Sequence, residues 1–210
     1  MLDIKAVRKD PQGIAGQLAK RGYSFDAVKF RSTDIPGVIR IEPTVHRDDR
    51  GFFLETYHEP CYRENGIPER FVQDNHSRSA KGVLRGLHAQ FPDPQGKLVR
   101  CVEGSVWDVA VDVRLGSPAF GRHVGSELSA DNFCLLYVPP GCLHGFVVTS
   151  DSAQIEYKCT TVYDPGADFS VRWDDPQLAI AWPVDAPVLS DKDRNAPLLS
   201  EVQERLVTFS

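Results

Sequence analysis

The sequence predicts an all-β protein, a sandwich or barrel of many short strands. Three observations carry that expectation. Short apolar runs recur at a spacing of roughly 8–12 residues, the rhythm of all-β architectures. Turn signals separate them: Gly82, Asp93-Pro94, Gly104, Gly116-Ser117-Pro118 and Pro139-Pro140-Gly141. Helical patterns are few and do not alternate with strands. Neither GxGxxG nor a P-loop is present, which argues against a dinucleotide-binding fold.

In chain order, the pattern predicts strands at Val38–Ile41, Gly51–Tyr57, Val83–Ala89, Lys97–Glu103, Val106–Arg114, Val124–Leu128, Cys134–Val138, His144–Val148 and Ala153–Thr160. The clearest is SVWDVAVDVR. Trp107, Val109, Val111 and Val113 share one face and Asp108, Ala110 and Asp112 the other, the alternation of a strand buried on one side. Short helices are expected at Glu59–Asn65 and Ser200–Arg205. Residues 1–26 read as an N-terminal extension, with a short amphipathic helix over Gly13–Arg21 ended by Gly22. Residues 27–210 read as one domain.

Length and composition set the outer bounds. A chain of 210 residues suits one domain with a core of its own. Its 41% apolar and 25% charged content is that of a soluble globular protein. A net charge of −5 points to neither nucleic acid nor an anionic membrane as partner. No apolar run approaches a membrane span. The polar N-terminus does not read as a secretory signal, so a cytoplasmic protein is expected. Five cysteines without a CxxC argue against a disulfide scaffold and a structural zinc site.

Of the six histidines, His88 and His144 stand out. His88 lies on a strand in GVLRGLHAQ. His144 follows the tight turn of VPPGCLHGF, which would aim it at a barrel mouth. A metal-binding cupin would carry His-x-His here, but the chain reads His88-Ala89-Gln90, and an amide is a poor divalent-metal ligand beside an imidazole. On a regular strand Arg85 and His88 face opposite sides. If both face one pocket, the strand must be irregular between them, and Gly86 permits it.

Seven segments occur in order: FVQDNHSRSAKGVLRGLHAQ, QGKLVR, DVAVDVRLGSPAFG, VPPGCLHGF, EYKCTTVYDP, WDDPQLAIAWP and LSDKDR. Together, over about Phe30 to Arg194, they resemble the dTDP-4-dehydrorhamnose 3,5-epimerase family. The resemblance implies a cupin-type jelly roll, usually a homodimer, without metal or cofactor. It further implies a dTDP-4-keto-6-deoxy sugar as substrate, inverted at C3, C5 or both. His88 would be the base, Asp193 its orienting partner, Tyr157 the acid on the opposite face, and Lys97 the cation at the ketone oxygen. Gln73, Asn75, Arg85 and His144 would line the pocket, with Arg85 near the diphosphate. Tyr163 stands where relatives stack an aromatic ring on the base. Arg50 and Glu55 would help hold the nucleotide across a dimer interface. Ala89, Cys142 and Leu143 depart from the family's usual residues without removing a chemical group.

These roles agree with elementary chemistry. A C–H beside a ketone is a weak acid, and histidine is a base that is neutral and free near pH 7. A carboxylate on its far nitrogen fixes the tautomer. An ammonium stabilises the developing enolate. Tyrosine arrives protonated and can return a proton from the other side. Taken singly, Tyr157 reads as a core aromatic, Asp193 as a helix cap, and Lys97 and Arg85 as surface charges. The rival readings are a mono-epimerase on a related keto sugar, a metal-dependent cupin oxygenase, and a non-catalytic cupin that binds sugar nucleotides.

Overall fold

The computed structural model describes Gly13 and residues 28–209. The expected extension over residues 1–26 and its helix at Gly13–Arg21 lie, Gly13 apart, outside the described residues. The rest is two facing antiparallel sheets, a jelly roll.

The larger sheet runs β1 (Lys29–Ser32), β2 (Ile39–Glu42), β10 (Leu135–Val138), β7 (Lys97–Glu103), β12 (Ser152–Cys159) and β5 (Gln73–Ala80). The smaller runs β13 (Asp168–Ser170), β6 (Leu84–Gln90), β11 (Cys142–Val148), β8 (Ser105–Asp112) and β9 (His123–Ser129). A separate hairpin pairs β3 (Val45–Asp48) with β4 (Gly51–Leu54). Two short helices flank the sheets, α1 (Glu59–Glu64) and α2 (Asp191–Arg194). Proline near the start of α1 and Gly66 beyond its end, at φ +92°, delimit it.

Three apolar clusters hold the layers. Between the sheets lie Val99, Cys101, Val106, Ala110, Leu136, Phe146, Ala153 and Ile155. Outside the larger sheet, Ile39, Ile41, Leu98 and Tyr137 pack under Tyr62 of α1. Outside the smaller sheet, Leu87, Val109, Val111 and Leu143 pack under Leu178, Leu199, Val202 and Leu206 of the C-terminal segment.

Two expectations need correction. Strand β8 is buried on both sides, not one: Asp108 and Asp112 are as fully covered as Val109 and Val111. It lies inside its sheet, with the other layer on one face and the C-terminal segment on the other. The helix expected at Ser200–Arg205 is two 3-10 turns, Leu199–Glu201 and Gln203–Arg205, separated at Val202, whose side chain is buried.

Candidate functional site

The site occupies one end of the space between the sheets, where polar side chains replace apolar ones. Strand alternation chooses them. On β12, Ala153, Ile155, Tyr157 and Cys159 point inward while Glu156 and Lys158 point out. On β7, Lys97 is the Cα partner of Cys159 and continues the inward row of Val99 and Cys101. On β5, Gln73 and Asn75 lie opposite Cys159 and Tyr157. The facing sheet contributes Arg85 and His88 from β6 and His144 from β11.

The irregularity expected between Arg85 and His88 is present. Against β11, His88 pairs with His144 but Arg85 pairs with Phe146, so three β6 steps face two. Gly86 sits in the bulge at φ +127°. A Cβ there would stand 2.6 Å from the Gly145 Cα, so the two glycines allow a backbone approach that a side chain would block. The bulge leaves the Gly86 N–H to bond the Asp193 carboxylate. Arg85 and His88 thereby line one cavity of about 400 Å³, together with Leu189, Ser190, Lys192 and Asp193.

His88 Nε2 lies 2.5 Å from Asp193 Oδ1. Asp193 is buried, held on α2 by its N–H donating to the Ser190 hydroxyl. Burial alone pushes its carboxyl up, but the His88 bond, the Ser190 hydroxyl and the Gly86 N–H outweigh burial and hold it below the usual range. An ionised carboxylate only accepts, so the shared proton belongs to Nε2. Nδ1 therefore keeps its lone pair, the state a base needs. Burial lowers the His88 pKa, opposed by Asp193 and seconded by Lys97 and Lys192, which keeps the imidazole neutral near pH 7.

On the facing sheet, burial raises the Tyr157 phenol, with Arg85 pulling the other way, so it stays protonated. Among the described residues its hydroxyl has no hydrogen-bond partner. The Lys97 ammonium has none either, and burial lowers its pKa. Among the described residues, the Tyr157 hydroxyl and the Lys97 ammonium thus make no hydrogen bond, and His88 bonds only through Nε2. Arg85 Nε donates to Ser79 Oγ at 3.0 Å and remains exposed.

Several expected residues sit differently from the simplest reading. His144 is not at a mouth: it is buried on β11, with Nε2 2.9 Å from Asp108 Oδ2. The central position of β11 between β6 and β8 draws it inside. Asp108 was legible only as a polar residue on a strand face. It is fully buried, and its Oδ1 has no partner among the described residues, so this second histidine–carboxylate pair leaves an acceptor within the protein. Gln73 and Asn75 are partly spent on the protein. Gln73 Nε2 donates to Asn75 Oδ1 at 3.0 Å, and Asn75 Nδ2 reaches Cys159 Sγ at 3.5 Å. Arg50 and Glu55 are on or beside the exposed β3–β4 hairpin, away from this cavity. Arg50 forms an ion pair with Asp48 at 2.5 Å, and Phe52 packs on Phe133. Tyr163 stands half exposed at the rim, its hydroxyl 3.4 Å from Asp168, which also pairs with Lys192. Lys192 and Asp168 were not singled out from sequence; Lys192 lies in the charge-rich DKDR, and Asp168 on the short strand β13. Among the described residues no three His, Cys, Asp or Glu groups gather at metal-ligand spacing.

A jelly roll with an oriented, neutral histidine facing a protonated tyrosine and a free lysine defines a cupin built for proton transfer at carbon. A family model described as dTDP-4-dehydrorhamnose 3,5-epimerase matches residues 32–201. An enzyme of that name from Pseudomonas aeruginosa is 53% identical over 169 residues, 80% of this chain and 93% of the relative. The crystal structure of a dTDP-6-deoxy-D-glucose-3,5-epimerase from Legionella pneumophila, in complex with dTDP-4-keto-L-rhamnose, superposes with a TM-score of 0.85 at 49% identity. It covers 87% of this chain and 99% of that one. A 3'-monoepimerase from Streptomyces bikiniensis in complex with dTDP-quinovose gives 0.79 at 36% identity, covering 85% and 92%. The chain belongs to the dTDP-4-dehydrorhamnose 3,5-epimerase family.

Proposed function

We propose that this protein epimerises a dTDP-4-keto-6-deoxyhexose at C3 and C5, as a step in making dTDP-L-rhamnose or a related deoxysugar. The observation that carries the reading is the 2.5 Å His88–Asp193 contact, facing Tyr157 and Lys97 on the opposite sheet. His88 Nδ1 takes the proton from the carbon beside the C4 ketone. The C–H electron pair moves into the enolate, whose oxygen the Lys97 ammonium stabilises. Tyr157 returns a proton to the other face, and the configuration inverts. The phenolate and imidazolium then exchange protons with solvent to reset the site. His144 and Asp108 contribute polar groups inside, Arg85 a cation for the diphosphate, and Tyr163 a ring for the base. Gln73 and Asn75 face the sugar with their remaining N–H groups.

The protein works as a homodimer. The exposed Phe52 and Phe53 of the hairpin support that reading, since a symmetric partner would cover them. In that assembly Arg50 and Glu55 reach the partner's nucleotide. The cytoplasm is the expected compartment: all five cysteines are unpaired, as in a reducing environment, and no helix among the described residues is long and apolar enough to cross a membrane.

The test is incubation with dTDP-4-keto-6-deoxy-D-glucose in deuterated water, followed by NMR. Loss of both the C3 and C5 proton signals is expected. Exchange at one carbon only establishes a mono-epimerase, the activity carried by the Streptomyces bikiniensis relative. No exchange, from folded protein that binds dTDP, overturns the assignment for this substrate.

A further inference from the structure

The loop between β12 and β13 carries Tyr163 and has no ladder partner across its middle. Backbone polar groups without partners are costly, so something must meet them. Three glutamine side chains do. Gln95 Nε2 donates to the Thr161 carbonyl at 2.8 Å. Gln90 Nε2 donates to the Val162 carbonyl at 3.3 Å. The Tyr163 N–H donates to Gln73 Oε1 at 2.8 Å, and the Asp164 N–H to Gln90 Oε1 at 3.0 Å. Four successive residues are each held by an amide side chain.

Gln90 is the centre of this arrangement. It is buried, two residues beyond His88 on β6, and its amide spans both sides of Tyr163. Its Nε2 also donates to the Asp93 carbonyl at 3.0 Å, tying the loop to the β6–β7 turn. A buried amide is expensive unless every arm is bonded. Here two of its three bonds go to the backbone on either side of Tyr163, and the third anchors it to the β6–β7 turn. The ring itself is half exposed and, among the described residues, makes one long hydrogen bond, to Asp168. Its direction is therefore set by its backbone, not by its own packing.

We propose that Gln90, seconded by Gln73 and Gln95, is a positioning residue for nucleotide binding. It preorganises the Tyr163 loop so that the ring meets the nucleobase without a further ordering cost. The proposal rests on the function proposed above, in which Tyr163 stacks on the base. It separates nucleotide affinity, set at the loop, from proton transfer, set two residues away at His88.

The test is a double-mutant cycle on affinity for dTDP, read by calorimetry alongside KM and kcat. Tyr163→Ala is expected to weaken dTDP about tenfold, the scale of one stacked base. Gln90→Met, similar in volume but without hydrogen bonds, is expected to weaken it by a similar factor of about ten, raising KM while kcat at saturation stays within about twofold. The double variant is expected to bind no worse than about twofold below either single, because Gln90 acts through the ring. Gln90→Glu, which keeps the acceptor for Asp164 and loses the donor to Val162, gives the same comparison should Gln90→Met fold poorly. Unchanged dTDP affinity in the folded Gln90 variant overturns the proposal. So does a double variant whose losses multiply, since that is the mark of an independent structural role. Wild-type protein that binds dTDP but exchanges no sugar proton sinks the proposed reaction and leaves the affinity cycle to be read as before. Wild-type protein that binds no dTDP sinks both.

Discussion

Asp193→Asn isolates what the carboxylate does for His88. The substitution keeps size and the Asp193 N–H bond to the Ser190 hydroxyl, and removes the charge behind a 2.5 Å contact at a buried position. A hydrogen bond to a charged group contributes about 1.5–3 kcal/mol net, which is roughly a 10- to 150-fold rate effect if felt in full as the imidazolium forms. The amide can also turn its N–H toward Nε2, which places the imidazole proton on Nδ1 and blocks the base. The equivalent change in a serine-protease triad costs about 10⁴ in kcat. We expect kcat to fall between about 10² and 10⁴, with KM changed less, because the dyad acts on a proton and not on the nucleotide. The pH profile carries a second mark. Burial already lowers the His88 pKa, and Asp193 is the main influence opposing it. Without the carboxylate the pKa drops further, so the acidic limb of kcat/KM moves to lower pH even as the plateau falls. The assay is initial-rate kinetics over about pH 5–9, the range in which histidine titrates, with deuterium incorporation as a parallel readout. A variant that keeps a third of wild-type kcat, or an acidic limb that moves up, would refute the reasoning.

Tyr157→Phe removes a hydroxyl that has no hydrogen-bond partner among the described residues, so the melting temperature should hold. Inversion should fall by about 10²–10⁴, the usual worth of a placed acid, while His88 still washes solvent deuterium into the substrate; equal loss of exchange and inversion would tell against separate base and acid. Gly86→Ala should destabilise by roughly 2–5 kcal/mol, from a strained φ and a 2.6 Å approach to Gly145, seen as a lower urea midpoint. Stability should decline as pH falls below about 6.5 and again toward the carboxylate range. His88 holds a pKa below its ordinary 6.5 when folded, so the unfolded chain takes up that proton first. Asp193 and Asp112, held below 3.8 when folded, contribute stability that is present above that value and lost as pH falls through their folded pKa. Melting curves across pH 3–8 that stay flat would contradict both assignments.

The strands that carry the apolar core were legible because their side chains alternate. Lys97–Glu103 has the expected bounds, and each of the other expected strands differs by one to three residues at one or both ends. The strand β5 was not legible, and its function explains why. Its inward row is Gln73, Asn75, Ser77 and Ser79, so QDNHSRSA shows no hydrophobic period. A strand that lines a polar pocket hides from a test built on burial of oil. The strands β1 and β3 escaped because nearly all their side chains are exposed, and β13 because it has only three residues. In the site, His88, Asp193, Tyr157 and Lys97 were named through ordered motifs; spacing alone did not reveal them. Asp193 lies 105 residues from its partner. Nothing in the neighbourhood of either residue tells of the other. Asp108 was read as polar decoration because its strand was taken to be covered on one side only.

The C-terminal segment has a place in this protein that its position in the chain does not suggest. Because the middle of the jelly roll is partly given over to the cavity, much of the apolar burial lies on the outer faces of the sheets. On one of them the cover is Leu178, Leu199, Val202 and Leu206. The same stretch of chain carries α2 and Asp193 into place. Every sheet strand precedes this stretch, so the sheets alone lack both the cover over the second core and the partner of His88. Cover for the second core and the carboxylate behind His88 therefore come from one stretch of chain, outside both sheets.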